Sequence, residues 1–287
     1  MKIADIMKRN VPSLSFEIFP PKSTTALSDV KDAARRIAAL GPSFMSVTYG
    51  AGGTTADLTV ELADAVQNEF HVTSLAHMTC RTATRESVLR QLDGLRRRGI
   101  ENVLALRGDH GPGREVKDFT YAKDLIVYLK DSGLCIGAAC YPEGHVECQD
   151  FTTSIEHLKQ KQDAGADFLV SQLFFDNEYF YRFREACDRA RVKLPISVGI
   201  MPFTSVKQIQ RMSFTCGASI PSAVIKRLVA AGDDSEAQRQ AGVEYACEQL
   251  VDLAANGVDG LHIYTMNRPS VAEAVHDALV TCGYLAE

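Results

Sequence analysis

Glu17 is the only carboxylate in Ser15-Phe-Glu-Ile-Phe-Pro-Pro21, a short apolar run that two prolines bring to a stop. An acid near the carboxyl end of a buried strand is costly unless it is paired with a cation or held for chemistry. This stretch alone leaves both readings open. Later apolar runs end in polar groups in the same way: Thr48 and Tyr49, His77, Arg107 to Asp109, Tyr141 to Glu143, Gln172 and Tyr264. Any one of them by itself is ordinarily a satisfied polar residue at a strand end. Gathered on one rim, they would make a functional site. Glu17 and Asp109 would then come from well-separated strands. Two acids in unlike surroundings can divide the work, one donating a proton and the other stabilising positive charge.

Further along, Ser154, His157 and Lys161 are spaced three and four apart, so one helix face would present all three. That face could hold a phosphate or a ribose, and a solvated helix face has the same spacing. Gly50-Ala-Gly-Gly-Thr-Thr55 permits close backbone approach to a ligand, but matches neither the P-loop nor the dinucleotide-binding glycine pattern. His77-Met-Thr-Cys80 does not read as a metal motif, because residues three apart on a strand face opposite sides. Cys140, His145 and Cys148 complete no four-ligand set, and no metal is expected. A serine nucleophile elbow is missing as well.

Eight strand-length apolar runs must position these groups: Leu14–Phe19, Phe44–Tyr49, Ser74–Thr79, Val103–Arg107, Cys135–Tyr141, Phe168–Phe174, Ile196–Met201 and Leu261–Met266. Helical periodicity fills the intervals, with Leu27, Val30, Ala34 and Ile37 on one face and Val88, Leu92 and Leu95 on another. Gly41, Gly99, Gly133, Gly165 and Gly257 each stand just before the next strand, where a helix ends in a left-handed turn. Buried strands alternating with helices imply a parallel sheet with right-handed crossovers. Eight such units close most economically into an α/β (β/α)8 TIM barrel, whose ligands sit at the carboxyl ends of the strands. An open doubly wound sheet is the alternative. Between strands seven and eight there is room for extra helices at Ser205–Phe214, Ser222–Ala231 and Ser235–Ala255. No linker is visible, so residues 1–287 read as a single domain.

Composition narrows the class further. The chain is 46% hydrophobic and 23% charged with a formal net charge of −5, which suits a soluble enzyme and argues against a nucleic-acid surface. Arg96-Arg97-Arg98 falls at an expected helix end, where cations complement the dipole. No apolar run approaches the length of a membrane helix and no leader is apparent, so a cytoplasmic location is expected. The eight cysteines are scattered singly, as thiols in a reducing compartment are.

Eight stretches taken together resemble the methylenetetrahydrofolate reductase family. They are Ser15-Phe-Glu-Ile-Phe-Pro-Pro21, Ser46-Val-Thr-Tyr-Gly-Ala-Gly-Gly53, His77-Met-Thr-Cys80, Leu104-Ala-Leu-Arg-Gly-Asp109, Tyr141-Pro-Glu-Gly-His145, Lys161-Gln-Asp-Ala-Gly-Ala166, Gln172-Leu-Phe-Phe-Asp176 and Tyr264-Thr-Met-Asn-Arg268. They run in the family's order across nearly the whole chain, in the manner of the compact bacterial form. The resemblance implies a FAD-containing barrel in which NADH or NADPH reduces the flavin and leaves. Methylene-tetrahydrofolate then takes the hydride on the same face and becomes methyl-tetrahydrofolate for methionine synthesis. It also implies a homodimer or homotetramer.

Carried over by position, Glu17 matches the acid that helps open the folate's five-membered ring. Asp109 matches the acid near flavin and folate, and Gln172, Gln208, Tyr264 and Arg268 match substrate-side positions. Thr48, Tyr49, Ala51, His77, Arg107, Gly108, Asp109, Ala122, Tyr141, His145, Ser154, His157 and Lys161 fall where the family contacts FAD. Ser154 replaces an aspartate expected near the FAD ribose. Met212 stands where some members carry a ligand-stacking phenylalanine, and Phe214, two residues on, does not share its helix face. The rival readings are another pterin- or flavin-dependent barrel oxidoreductase, or a flavin-binding partner subunit without turnover of its own.

Overall fold

Each apolar run forms a strand, and the eight strands close into one parallel barrel in sequence order, β1 pairing with both β2 and β8. The computed structural model describes residues 1–9, 11–21, 26–49, 56–108, 118–148 and 150–285. The strands are β1 Ser13–Ile18, β2 Phe44–Val47, β3 Ser74–Thr79, β4 Asn102–Leu106, β5 Cys135–Cys140, β6 Phe168–Ser171, β7 Ile196–Ile200 and β8 Gly260–Tyr264. Helices α2 (Leu27–Ala38), α3 (Ala56–Asp64), α4 (Arg85–Arg97), α5 (Ala122–Leu129), α6 (Phe151–Ala164) and α7 (Asn177–Arg189) follow the first six strands. Their apolar stripes pack against the strands in one continuous core. The five helix-stop glycines all adopt positive φ, between 66° and 112°, as the expected left-handed turns require.

The extra helices after β7 are present as α8 (Val206–Cys216), α9 (Ser222–Ala231) and α10 (Ser235–Ala255), and α11 (Pro269–Thr281) closes the ring. Three strands end two or three residues earlier than their apolar runs suggest: β2 at Val47, β6 at Ser171 and β8 at Tyr264. The reason is clearest after β6. Leu173, Phe174 and Phe175 are buried, but as a loop rather than a strand. Phe174 turns into the main core, whereas Leu173 and Phe175 turn outward and seat α8 and α9 through Met201, Phe203, Ile209 and Val224.

One element has no counterpart in the periodicity. A single-turn helix, α1 (Ile3–Ile6), plugs the amino end of the barrel, its Ile3, Ile6 and Met7 packing on Phe44, Leu75, Leu104, Cys135 and Phe168. The buried Asn102 carboxamide holds it, accepting from Ile3 N–H at 2.9 Å and donating to the Met1 carbonyl at 3.0 Å. Gly137 makes the plug possible, because a Cβ there would lie 2.5 Å from the Phe168 ring.

Candidate active site

With the amino end stoppered by side chains, the polar groups collect at the other end. Ser15 of β1, Ser46 of β2, Ser197 of β7 and His262 of β8 are fully buried inside the barrel. Ser15 Oγ donates to the Leu261 carbonyl at 3.0 Å and lies 2.8 Å from His262 Nδ1. Ser15 thus fixes the Nδ1 edge of the ring, and Nε2 turns toward β1 and β2. There it stands 3.6 Å from Glu17 Oε2 and 3.4 Å from Ser46 Oγ. Ser46 Oγ donates to Glu17 Oε2 at 3.3 Å, and His77 Nε2 is 3.5 Å from the same oxygen. Glu17 is therefore an acid between two imidazoles, and among the described residues no lysine or arginine is paired to it.

Burial is the strongest influence on the Glu17 carboxyl and pushes its pKa up. The His262 hydrogen bond, the charges of His77 and His262 and the Ser46 hydroxyl outweigh it and hold the group below the usual glutamate value. His77 answers burial more simply. It is pushed down to about 4, with Glu17 only partly opposing, and so is neutral at pH 7. At neutral pH it is a dipole beside Glu17 rather than a counter-ion.

Tyr264 completes this end of the barrel. Its hydroxyl donates to the Ser171 carbonyl at 2.6 Å, and its ring meets His262 edge-on at 5.3 Å. Gly199 provides the space, since a Cβ there would lie 2.8 Å from the Tyr264 oxygen. Burial raises the Tyr264 pKa well above its ordinary value, so the group remains a donor. Gln172 is half-buried at the end of β6, its Oε1 accepting from Leu173 N–H at 2.9 Å. On α8, Gln208 Oε1 accepts from Thr204 N–H and Oγ1 at 2.7 and 2.8 Å. Met212 packs partly buried on the α8 and α9 cluster, while Phe214 is 92% exposed and takes no part in it. Arg268 is exposed at the start of α11.

A second group forms a cavity of about 330 Å³ beside the barrel mouth, between the ends of β4 and β5 and helices α5 and α6. Arg107, Ala122, Tyr141, His145, Ser154, His157 and Lys161 all line it, so the α6 stripe does face one ligand-sized space. Asp150 fixes the start of α6 by accepting from Thr153 N–H at 2.8 Å. Lys161 Nζ donates to the Ala139 carbonyl at 2.8 Å and sits 5.3 Å from the centre of the Tyr141 ring. Burial pushes this amine down to about 8. The Tyr141 and His145 rings meet edge-on at 4.6 Å, and Arg107 makes a two-pronged ion pair with Glu147 at 2.6 and 2.7 Å. Ser154, where the family pattern expects an aspartate, accepts from His145 N–H at 3.3 Å and so braces the loop after β5.

The other expected flavin positions are placed less tightly. Thr48 and Tyr49 follow β2 half-buried, His77 belongs with Glu17, and Gly108 lies just beyond β4 at φ 89° against Thr79. Ala51 and Asp109 lie outside the described residues. Among the described residues no three His, Cys, Asp or Glu side chains are grouped to hold a metal, and no helix is long and apolar enough to cross a membrane. Chemically, the cavity suits an elongated, anionic, partly aromatic ligand, and the barrel mouth suits a substrate that exchanges a proton. The arginine, buried lysine, imidazoles and stacking tyrosine fit a flavin nucleotide with its pyrophosphate.

Comparison with known proteins bears on which chemistry this is. A family model for methylenetetrahydrofolate reductase matches residues 2–280. The 5,10-methylenetetrahydrofolate reductase of Escherichia coli is 32% identical over 264 residues, covering 92% of this chain and 89% of that protein. Methylenetetrahydrofolate reductase (NADH) 1 of Arabidopsis thaliana is 35% identical over 283 residues, 93% of this chain and 48% of the plant protein. The chain thus spans about half the length of its plant relative. In fold it is similar to an uncharacterized protein from Clostridium thermocellum that binds two copies of 5-methyl-5,6,7,8-tetrahydrofolic acid, with a TM-score of 0.69 at 16% identity and 97% coverage of each chain.

Proposed function

The chain belongs to the methylenetetrahydrofolate reductase family, and on that premise we propose that it reduces 5,10-methylene-tetrahydrofolate to 5-methyl-tetrahydrofolate with a nicotinamide donor and FAD. The observation that carries the reading is Glu17. It is an acid at the barrel mouth flanked by His77 and His262, and the same end of the barrel carries a tyrosine-bearing cavity lined by Arg107 and Lys161. The name of the plant relative favours NADH as donor. FAD supplies hydride transfer when bound; this chain supplies the binding, the orientation and the proton.

Arg107 and Lys161 would hold the pyrophosphate, Tyr141 and His145 would pack against the cofactor, and His157 and Ser154 would face its ribose. At the mouth, a proton taken up by Glu17 would face His262 Nε2, 3.6 Å away, with His262 fixed from behind by Ser15. A folate seated over Glu17 excludes water and strengthens the upward push of burial on the carboxyl. The proton is thereby readied for the amine that leaves when the five-membered ring opens. The resulting cation is the species that accepts hydride, and Asp109 would stabilise it. NADH and folate would meet the flavin in turn, in a ping-pong cycle serving methyl-group supply for methionine.

The test is the visible spectrum of the FAD-loaded protein. A flavin band that bleaches under anaerobic NADH and returns on adding methylene-tetrahydrofolate would support cofactor, donor and substrate together. A band that NADH bleaches but folate leaves reduced would overturn the substrate. A protein that cannot be loaded with FAD would overturn the flavoenzyme reading.

A further inference from the structure

The segment after β8 does more than lead into α11. Met266 and Asn267 are consecutive non-glycine residues in the left-handed region, both at φ 55°. Methionine is not favoured there, and asparagine tolerates it better. Such backbone persists only where its surroundings hold it. Here the holding contact is a side chain. The Asn267 carboxamide accepts from Phe19 N–H at 2.9 Å and donates to the Phe19 carbonyl at 2.8 Å. The regular β1–β8 ladder ends at the pair Glu17 and Tyr264. Beyond it the carboxamide presents one donor and one acceptor, as a strand residue would, and so adds one further rung. Thr265 Oγ1, on the same segment, donates to the Glu17 carbonyl at 2.7 Å.

These bonds join the two parts of the mouth that must stay in register. Glu17 lies two residues before the clasped Phe19, and Arg268 directly follows Asn267. We propose that Asn267 is a positioning residue that holds the Glu17 carboxyl at a fixed place relative to Arg268, and hence to the bound folate. This rests on the acid role of Glu17 argued above. Prolines 20 and 21 prevent the strand from continuing, so past the Thr265 bond to Glu17 it is the Asn267 carboxamide that carries the pairing of β1 on the β8 side.

Asn267→Gly separates the clasp from the strain, because glycine keeps the left-handed backbone and removes the carboxamide. Hydrogen exchange at Phe19 N–H should quicken in this variant. Reoxidation of reduced flavin by methylene-tetrahydrofolate should fall between about ten- and a hundredfold, the scale of a sub-ångström misplacement, and reduction by NADH should change far less. Faster exchange with an unchanged folate step would overturn the proposal. So would unchanged exchange, or equal losses in both half-reactions. Should Asn267→Gly fail to fold, Asn267→Asp carries the same comparison. It tolerates the backbone and keeps the acceptor but cannot donate to Phe19. Glu17→Gln, measured in parallel, distinguishes two failures. Loss there with normal behaviour in Asn267→Gly overturns the positioning role alone, and retention there overturns the acid role beneath it.

Discussion

Three residues carry the chemistry that is easiest to test. Glu17→Gln keeps the size and the hydrogen bonds but cannot deliver a proton. It should load FAD and be bleached by NADH yet fail to be reoxidised by folate, a split that stopped-flow absorbance would record. His77 makes a stability prediction of definite sign. The unfolded chain takes up a proton near pH 6.5, whereas the native imidazole resists until about 4. The native state should therefore lose about 3 kcal/mol as pH falls through that window and nothing above it. Urea unfolding of the protein and of His77→Gln, at pH 7.5 and pH 4.5, should show the difference between them only at the lower value. At Lys161 the sign is opposite for binding. Its amine loses charge as pH rises through about 8, so affinity for an anionic cofactor should fall there, and Lys161→Met should flatten that fall. Flavin fluorescence titrations across pH would show it. Sequence reasoning reached Glu17, His77 and Lys161 because strand ends and helix faces can be counted. It did not single out His262, although Gly260-Leu-His-Ile-Tyr264 contained the signal: a histidine two residues before Tyr264 faces the same side of the strand. The expected closed barrel already makes β1 and β8 neighbours; what no count could supply is their register, Ser15 opposite His262 and Glu17 opposite Tyr264, which sets His262 beside Glu17.

At the scale of elements, the eight strands and the three helices after β7 were legible, since each has its own apolar period and stop signal. Their ends were less so. Leu173 to Phe175 continue the apolar run of β6 but are buried against other partners, and burial alone does not distinguish a strand from a packed loop. The α1 plug was not legible at all, being a single turn too short to show a period. The seating of α10 was equally hidden, because it depends on one atom that is not there. A Cβ on Gly242 would lie 1.8 Å from the Phe203 carbonyl oxygen, so the helix lies directly on the loop after β7. Gly242→Ala should cost about 1–3 kcal/mol and lower the thermal midpoint by several degrees, readable by circular dichroism. Because Phe203 also backs the cluster that holds Met212, the same variant should raise the folate KM more than it disturbs FAD loading.

The whole molecule divides its labour along the barrel axis. The amino end is sealed by apolar side chains, with α1 keyed in by Asn102, and the candidate chemistry lies at the carboxyl end, where polar groups collect. Ile3→Ala should therefore cost about 2–5 kcal/mol in unfolding while leaving the FAD dissociation constant as it was, a pairing that denaturant melts and fluorescence titration would check together. The same plug has a consequence for traffic. Under the proposed function, a barrel corked at its amino end leaves both reactants to approach the flavin from the carboxyl end, one after the other. Donor and acceptor should then exclude each other, each slowing turnover when in excess. Initial rates plotted as reciprocals at several fixed folate concentrations should give parallel rather than converging lines.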